Sequence, residues 1–362
     1  MLNESNTDPQ PQITAVGKQQ RLVGLDLFRG IAAFAVVILH SDEGVKNLPY
    51  GWSAILKFSA FAVPFFLAAS FYLTMDRLRT DTKPINWRSR LLRMSIPYGI
   101  WSLAYLSLNL LSYWVKNQPE KIAGLFQNTM GIIFLGQAAF PLYFIPLLIS
   151  GTLVVMAIEP LIRLPIRFPI LLGFLAFSLI VYQSYFISPD SLDQIVPNTN
   201  KLIYVALVIA RYATRCLPYI AIALLLNHPA IRDRLTKFDV KDAVLLSIAF
   251  CVFNAFELPW LPSAVHEMLN AYSGLLLALA LSNYLKPNPL ILNIGQSSFG
   301  IYLMHLIFVN TFWSINKRLG LISEPISIVS LLGVATLSFL VSWILTFLLM
   351  KQKLASRLLF GA

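Results

Sequence analysis

Charged residues are scarce in this sequence: Asp, Glu, Lys and Arg make up only 12% of its 362 residues. Hydrophobic residues make up 57%, and the mean hydropathy is +0.68. Such values exclude an ordinary soluble globular protein. The charges lie in short clusters between apolar stretches of about 20 residues, which is the length at which a helix crosses a bilayer. The composition therefore predicts an all-α, polytopic membrane protein.

Cysteine and histidine are also rare, with two and four residues. Cys216 and Cys251 lie in apolar stretches, so we predict packing roles for both and no disulfide framework. The histidines are dispersed and no cysteine lies beside one, which argues against a metal site. Walker and Rossmann glycine patterns are lacking too, so ATP, nicotinamide and other tightly bound cofactors are not expected.

The net charge of +11 raises the question of nucleic acid. The basic residues lie at the ends of apolar stretches, however, and no soluble basic domain remains that could hold a duplex. Nucleic acid is therefore not an expected partner, whereas membrane lipid is.

The apolar stretches predict ten transmembrane helices. They cover approximately residues 22–40, 53–76, 91–114, 141–159, 168–187, 202–227, 242–258, 264–285, 296–314 and 326–350. Residues 1–20 are polar and predict a disordered cytoplasmic tail. Residues 21–352 then form one membrane domain, followed by a short cytoplasmic tail at 353–362. The first helix is expected to stay as an uncleaved anchor.

Lys and Arg residues divide unequally between the two sides of this topology. One side collects eighteen of them, three fall within helices, and the other side has Lys46, Lys57, Lys116, Lys121, Lys201, Lys317 and Arg318. Because cytoplasmic segments are rich in Lys and Arg, both termini are predicted to be cytoplasmic. The longest outer segment, about 115–140, is predicted to form an amphipathic or re-entrant element.

Three ionisable residues lie along one face of the first predicted helix. Arg29 and His40 are eleven positions apart, which returns to nearly the same face roughly 16 Å along the axis, and Asp26 precedes Arg29 by one turn. Ionisable groups within hydrocarbon are costly and usually functional. The alternatives are a structural Asp26–Arg29 pair and a histidine that only caps the helix at the headgroup level.

Two further polar stripes lie within predicted helices. Ser298, Tyr302 and His305 share a face of the ninth helix, where they either line a channel or bond to neighbouring helices. Arg211 and Arg215 share a face of the sixth helix, where they either bind an anionic donor or lipid or pair with an acid. The acid in the second alternative is Glu257, and this pairing is slightly favoured over the binding of an anionic donor or lipid. His266 and Glu267 are expected in an exposed outer connection.

Five motifs in order resemble the acyltransferase-3 family of integral membrane acyltransferases. They are GLDLFRGIAAFAVVILH, AVPFFLAASFYL, RLLRMSIPYGIW, PLYFIPLLI and IGQSSFGIYLMH. The second departs from the family, which commonly ends this motif in Ser-Gly, whereas this chain has Ala69 and Ser70. Backbone packing at that position is therefore expected to differ from that of the family.

The resemblance implies an O-acetyltransferase of the bacterial inner membrane. Members move acyl groups, typically acetyl from cytoplasmic acetyl-CoA, to hydroxyls of extracytoplasmic glycans or lipid-linked saccharides. It assigns Arg29 to the active machinery, together with Asp26. It also implies donor binding by the basic cluster that opens the third helix, for which cytoplasmic anchoring is the competing interpretation. That cluster is Arg88, Arg90 and Arg93.

His40 is the candidate base in this interpretation. An alcohol needs its proton removed to attack a thioester, and a neutral imidazole can remove it or carry the acyl group itself. The sequence leaves both routes open. The rival hypothesis from another class is a transporter or flippase that uses the Asp26–Arg29–His40 stripe as a proton or substrate path. The lack of inverted repeats counts against it.

Overall fold

The computed structural model describes residues 21–80, 84–127, 129–184, 200–322 and 325–362. Every regular element in these ranges is helical. The predicted disordered tail at 1–20 lies outside the described residues. The prediction of an all-α fold is confirmed.

The helices follow one another with short connections. They are α1 Val23–His40, α2 Trp52–Ser59, α3 Ala62–Thr80, α4 Trp87–Val115, α5 Pro119–Gln127, α6 Thr129–Leu135, a 3₁₀ turn Phe140–Tyr143, α7 Phe144–Ile162, α8 Phe168–Tyr182, α9 Lys201–Leu226, α10 Pro229–Leu235, α11 Val240–Ala255, α12 Ser263–Ser282, α13 Pro289–Leu319 and α14 Ile328–Met350. A short helix, Lys353–Ala355, then continues into a π-helical turn, Ser356–Phe360.

Polar residues mark where several helices begin. Asn86, Asn200 and Asn288 each accept a hydrogen bond from a backbone N–H in the first turn of α4, α9 and α13. Asp239 and Asp242 form a reciprocal capping box at α11. These side chains satisfy backbone donors that a helix start leaves unpaired, so the local sequence fixes the start points.

Seven segments of the described chain are long and apolar enough to cross a membrane. They are α1, α2 with α3, the 3₁₀ turn with α7, α9, α12, α13 and α14. Helix α8 is apolar but has only 15 residues. Helices α4 and α11 occupy the other two predicted stretches. Each of the ten predicted stretches therefore contains a helix, while the count of ten crossings and the side of the termini stay predictions.

Helix α1 lies at the centre of the bundle. It is 72% buried over its apolar window, against 28% for α14, and it packs against α3, α12, α13 and α14. Its contact with α13 needs a glycine, since a Cβ on Gly295 would lie 2.7 Å from the Asp26 Cβ. Most side chains on α1 are therefore surrounded by protein rather than by lipid.

The predicted amphipathic or re-entrant element consists of α5 and α6. Ile132 and Leu135 of α6 are buried, and the Tyr98 hydroxyl donates to the Ile132 carbonyl at 3.0 Å. The Gly136 N–H donates to the Tyr98 oxygen at 2.9 Å. Gly136 has φ +76°, and a Cβ there would collide with the backbone at Leu142. This glycine therefore allows the chain to return toward α7.

Residues 353–362 pack against the bundle rather than extending from it. The Trp101 indole donates to the Leu359 carbonyl at 3.0 Å, Phe360 is buried, and Gly361 lies against the Arg93 carbonyl. The segment predicted as a tail is thus held by α4.

Candidate functional site

His40 is the last residue of α1 and is buried. Its Nδ1 lies 2.7 Å from Oε1 of Glu43, which follows in the turn after the helix. A carboxylate accepts the Nδ1 proton and so selects the tautomer in which Nε2 keeps its lone pair. The pair therefore has the arrangement of a general base oriented by an acid. We call the end of the bundle where this pair lies the His40 end.

The turn that carries Glu43 is fixed on both sides. The Trp313 indole donates to the Ser41 carbonyl at 2.7 Å, and the Trp52 indole donates to the Asp42 carboxylate at 2.9 Å. Trp52 is completely buried. Because two tryptophans hold the turn, the carboxylate is preorganised against the imidazole.

A second histidine, His305 of α13, lies beside His40. The ring centroids are 5.3 Å apart, and His305 is completely buried. Its Nδ1 lies 2.6 Å from the Tyr302 carbonyl, which places the proton on Nδ1. Its Nε2 is buried without a hydrogen-bond partner among the described residues. The fold thus brings together two histidines that the sequence assigned to separate helices.

Aromatic side chains close one side of this histidine pair. The Phe140 ring meets the His40 ring edge-on at 5.6 Å. The Tyr302 hydroxyl donates to the Pro141 carbonyl, and its ring packs against Phe144 at 5.6 Å. These contacts limit the access of water from that direction.

A cavity of about 1110 Å³ opens at the His40 end. The last turns of α4 and α13 form two walls, and the turn Glu43–Asn47 forms a third. The lining residues on each helix follow helical spacing: Tyr105, Asn109 and Ser112 on α4, with Lys116 directly after it, and Ile307, Thr311, Ser314 and Arg318 on α13. The Tyr105 hydroxyl donates to the Leu303 carbonyl at 2.7 Å and joins the two helices below the cavity.

Amide, hydroxyl and aromatic side chains dominate the lining of this cavity. The polar ones are Asn47, Asn109, Ser112, Asn310, Thr311, Ser314 and Asn316, and the aromatic ones are Tyr105, Tyr113 and Trp313. Amides and hydroxyls both donate and accept, as saccharide hydroxyls do, and the rings add flat apolar surface. Glu43 joins this lining to His40.

A second cavity of about 410 Å³ lies on the other side of Phe140. Its lining is Leu135, Gly136, Gln137, Phe140, Tyr143 and Tyr212. Because Phe140 also touches the His40 ring, two cavities approach this histidine, one through Glu43 and the other through Phe140. Such an arrangement suits a reaction with two substrates.

The structure does not pair Asp26 with Arg29. The Asp26 carboxylate is buried and binds Nε of Arg21 at 2.8 Å. Arg29 is partly buried and makes no hydrogen bond or ion pair with another described residue. Neither of the two cavities is lined by it. The Asp26–Arg29 ion pair, which was one of the alternatives for this stripe, is therefore not formed among the described residues, and Asp26 binds the segment before the helix instead.

The basic cluster of α4 lies at the opposite end, which we call the Arg90 end. Nη2 of Arg90 donates to the buried Thr74 hydroxyl of α3 at 2.6 Å. Arg88 and Arg93 are exposed. Only one member of the predicted cluster is thus turned toward the protein.

Arg215 pairs with Glu267 rather than with Glu257. Nη2 of Arg215 and Oε1 of Glu267 are 3.0 Å apart, and the Tyr182 and Tyr219 hydroxyls both donate to the same carboxylate. Glu257 instead binds Lys57 at 3.1 Å. The prediction of an exposed Glu267 was wrong, because Glu267 lies on the face of α12 that packs against Arg215 of α9.

The other residues of the predicted stripes lie beside these elements. Arg211 is one turn before Arg215 on α9, and its carbonyl accepts from Thr214 at 2.8 Å. The Ser298 hydroxyl donates to the Gly295 carbonyl of its own helix at 2.8 Å. Neither cavity is lined by Ser298, Tyr302 or His305, so a channel-lining role for these residues stays a prediction.

The sequence reasoning missed Glu43 and the whole lining of the large cavity. An acid three positions after a candidate base was the available signal for Glu43. The lining residues come from three distant segments, and no signal along the chain places those segments together.

The chain was also compared with known proteins. A family model described as an acyltransferase domain matches residues 22–347. No curated protein and no solved structure matches the chain significantly.

Proposed function

This chain belongs to the acyltransferase-3 family of integral membrane acyltransferases, and on that premise we propose the reaction that it catalyses. An acetyl group is moved from cytoplasmic acetyl-CoA to a hydroxyl of an extracytoplasmic glycan or lipid-linked saccharide, of exopolysaccharide or O-antigen type. The protein works in the bacterial inner membrane, with the His40 end facing outward as the charge distribution predicts.

The observation that carries this proposal is the His40–Glu43 pair beside the large cavity. The acceptor occupies the cavity, where amides and hydroxyls meet its own hydroxyls. One of those hydroxyls approaches Nε2 of His40. Because Glu43 is bonded to Nδ1, it stabilises the imidazolium that forms when Nε2 takes up a proton.

The reaction is an acyl transfer with one proton in transit. Nε2 of His40 takes the hydroxyl proton while the acceptor oxygen forms a bond to the thioester carbonyl carbon. The carbon–sulfur bond then breaks, and the departing CoA thiolate receives the proton from His40. The products are an acetyl ester and free CoA. A route through an acetylated His40 uses the same residues in two steps.

The donor enters from the Arg90 end in this proposal. Guanidinium groups form bidentate bonds to phosphate, and Arg90 is oriented by its bond to Thr74, with Arg88 and Arg93 exposed nearby on α4. Arg29 lies along α1 between this end and His40. We propose that it orders the donor arm on its path to the thioester site, since the family resemblance assigns this arginine to the active machinery.

Purified protein in detergent provides the test. Acetyl-CoA is expected to raise the melting temperature of wild type and of His40→Ala, because a ligand that binds only the folded state stabilises it. Transfer of labelled acetyl to extracted surface glycan should be lost in His40→Ala. The matched control is His266→Ala, which removes a histidine of α12 that bonds to the Phe256 carbonyl rather than to Glu43.

Two results would contradict the proposal. One is full transfer by His40→Ala. The other is a melting temperature that does not respond to CoA or acetyl-CoA but does respond to a sugar or an ion, which is the behaviour expected of a transporter.

A further inference from the structure

Cations are concentrated at the mouth of the large cavity. Of the seven Lys and Arg residues that the sequence places on the outer side, four line this one cavity: Lys46, Lys116, Lys317 and Arg318. Outer segments of membrane proteins are generally poor in Lys and Arg. Topology therefore does not explain why the few outer cations gather here.

Among the described residues that line the cavity, carboxylates do not balance these cations. Glu43 is the only carboxylate among the described residues of the cavity lining, and it is already bonded to His40. Within the part of the chain that the structure describes, none of the four cations forms an ion pair with a carboxylate. A fifth cation, Lys121, lies over the Tyr113 ring at 5.6 Å, and Tyr113 lines the same cavity. Like charges along a cleft focus a positive potential into it.

The positions of the cations are ordered relative to the neutral lining. Lys116 follows the last turn of α4, Lys317 and Arg318 lie in the last turn of α13, and Lys46 lies in the turn after α1. Tyr105 and Ile307, about three turns earlier on the same helices, have no charge. The cavity thus combines a cationic rim with a neutral polar interior that adjoins His40.

We propose that the acceptor is an anionic saccharide whose phosphate or carboxylate group is held at Lys46, Lys116, Lys317 and Arg318. The sugar ring that receives the acetyl group then lies deeper, among the amides and hydroxyls beside Glu43. This proposal rests on the proposed function and adds the substrate class. A neutral glycan would cover four clustered cations without supplying a counter-charge.

The same cations suit two alternative roles. The last turn of a helix attracts positive side chains through its dipole, which would make Lys317 and Arg318 contributors to stability alone. An anionic lipid headgroup is another source of phosphate. The amide, hydroxyl and aromatic lining favours a saccharide over an acyl chain, and binding experiments separate the three roles.

The test measures the affinity of purified protein for three probes: a galacturonic acid trimer, glucose 1-phosphate and the neutral trisaccharide maltotriose. Wild type should bind at least one anionic probe about tenfold more tightly than maltotriose at low salt. The double variant Lys317→Gln with Arg318→Gln should lose that preference and keep its affinity for maltotriose. Salt at about 1 M should have the same effect, since the Debye length is then about 3 Å.

The control variant is Lys57→Gln with Lys201→Gln. It removes two positive charges that the topology assigns to the same side of the membrane, but neither residue lines the cavity. It should bind the anionic probes as wild type does. Equal loss in both double variants would show a general charge effect and overturn the proposal.

Further outcomes are decisive as well. Anionic probes that bind no better than maltotriose, or equally well to the cavity variant, would overturn the inference, even if that variant melts earlier. Nanodiscs of phosphatidylglycerol and phosphatidylcholine test the lipid alternative: a phosphatidylglycerol preference lost in the cavity variant, without any effect on the saccharides, would assign the cations to a headgroup.

Acetyl-CoA stabilisation and glycan acetylation are measured on the same preparations. If both persist while the anionic preference is lacking, only this inference fails. If the anionic probes bind as expected but acetyl-CoA has no effect, the proposed function fails instead.

Discussion

Glu43 determines which nitrogen of His40 is available for chemistry. Its carboxylate is 2.7 Å from Nδ1, so Nε2 keeps the lone pair that a base needs. We predict that Glu43→Gln lowers kcat by roughly 10²-fold or more, because the amide can keep the geometry but not the negative charge that stabilises the imidazolium. The donor KM should stay close to the wild-type value. Steady-state kinetics with acetyl-CoA measure both, and an unchanged kcat would remove Glu43 from the proposed chemistry.

The arginines of α4 give a second prediction at this scale. Arg90→Ala combined with Arg93→Ala should raise the apparent KM for acetyl-CoA more than it lowers kcat, because phosphate contacts act on binding. The control is Arg234→Ala, which removes an exposed cation of α10 outside this cluster and should leave the donor KM unchanged. An unchanged donor KM in the double variant would indicate that these residues anchor the helix at the membrane surface and do not bind the donor.

The sequence identified His40 from its register with Arg29, but it did not identify Glu43 as the partner of His40 or Arg21 as the partner of Asp26. An interaction between neighbouring turns was the only one that spacing could suggest for Asp26, whereas the fold supplies Arg21. The packing of α13 on α1 brings the His305 ring next to the His40 ring. Side-chain partners depend on such contacts, which spacing along one helix does not contain.

At the scale of helices, a buried ion pair can be compared with an exposed one. Arg215 and Glu267 are largely buried and join α9 to α12, with two tyrosines on the same carboxylate. Lys57 and Glu257 form an exposed pair, in which the Glu257 side chain is 77% exposed. Removing one partner of a buried ion pair leaves an uncompensated charge inside the protein. The Arg215–Glu267 pair should therefore contribute strongly to the free energy of unfolding, whereas the Lys57–Glu257 pair should not.

We predict that Glu267→Gln destabilises the protein by about 3–5 kcal/mol and Glu257→Gln by less than about 1 kcal/mol. Melting in detergent by circular dichroism measures the difference. Similar melting temperatures for the two variants would show that the buried pair does not hold α9 to α12.

Helix positions were predicted well, since each apolar stretch contains a helix, but helix ends were not. Helix α13 runs from Pro289 to Leu319, whereas the predicted stretch covered only 296–314. Residues 353–362 follow the last apolar stretch and were predicted as a tail, whereas they pack against α4. A polar residue near a boundary is compatible with either assignment until tertiary contacts decide.

At the scale of the whole molecule, the proposed reaction requires the His40 end and the Arg90 end to face different compartments. Cysteine labelling in a Cys251→Ser background tests this requirement. The remaining cysteine, Cys216, is buried and should not react. We predict that a membrane-impermeant maleimide labels Leu321→Cys in intact cells and labels Gln352→Cys only after permeabilisation. The background protein without an added cysteine is the control, and the reverse labelling pattern would invert the proposed orientation.

The family was recognisable from five short motifs, and the match over residues 22–347 confirms it. The large cavity was not predictable, because α4, α13 and the turn after α1 are separated by about 60 residues or more along the chain. Each motif lies within one short segment of the sequence, whereas the cavity forms only where several helices meet.

The most direct measurement follows acetyl transfer across the membrane. Everted vesicles containing the protein and its glycan acceptor receive labelled acetyl-CoA on their cytoplasmic face. The account predicts labelled glycan inside vesicles with wild type and with His266→Ala, and none with His40→Ala. Labelled glycan at the wild-type rate in His40→Ala vesicles would contradict it.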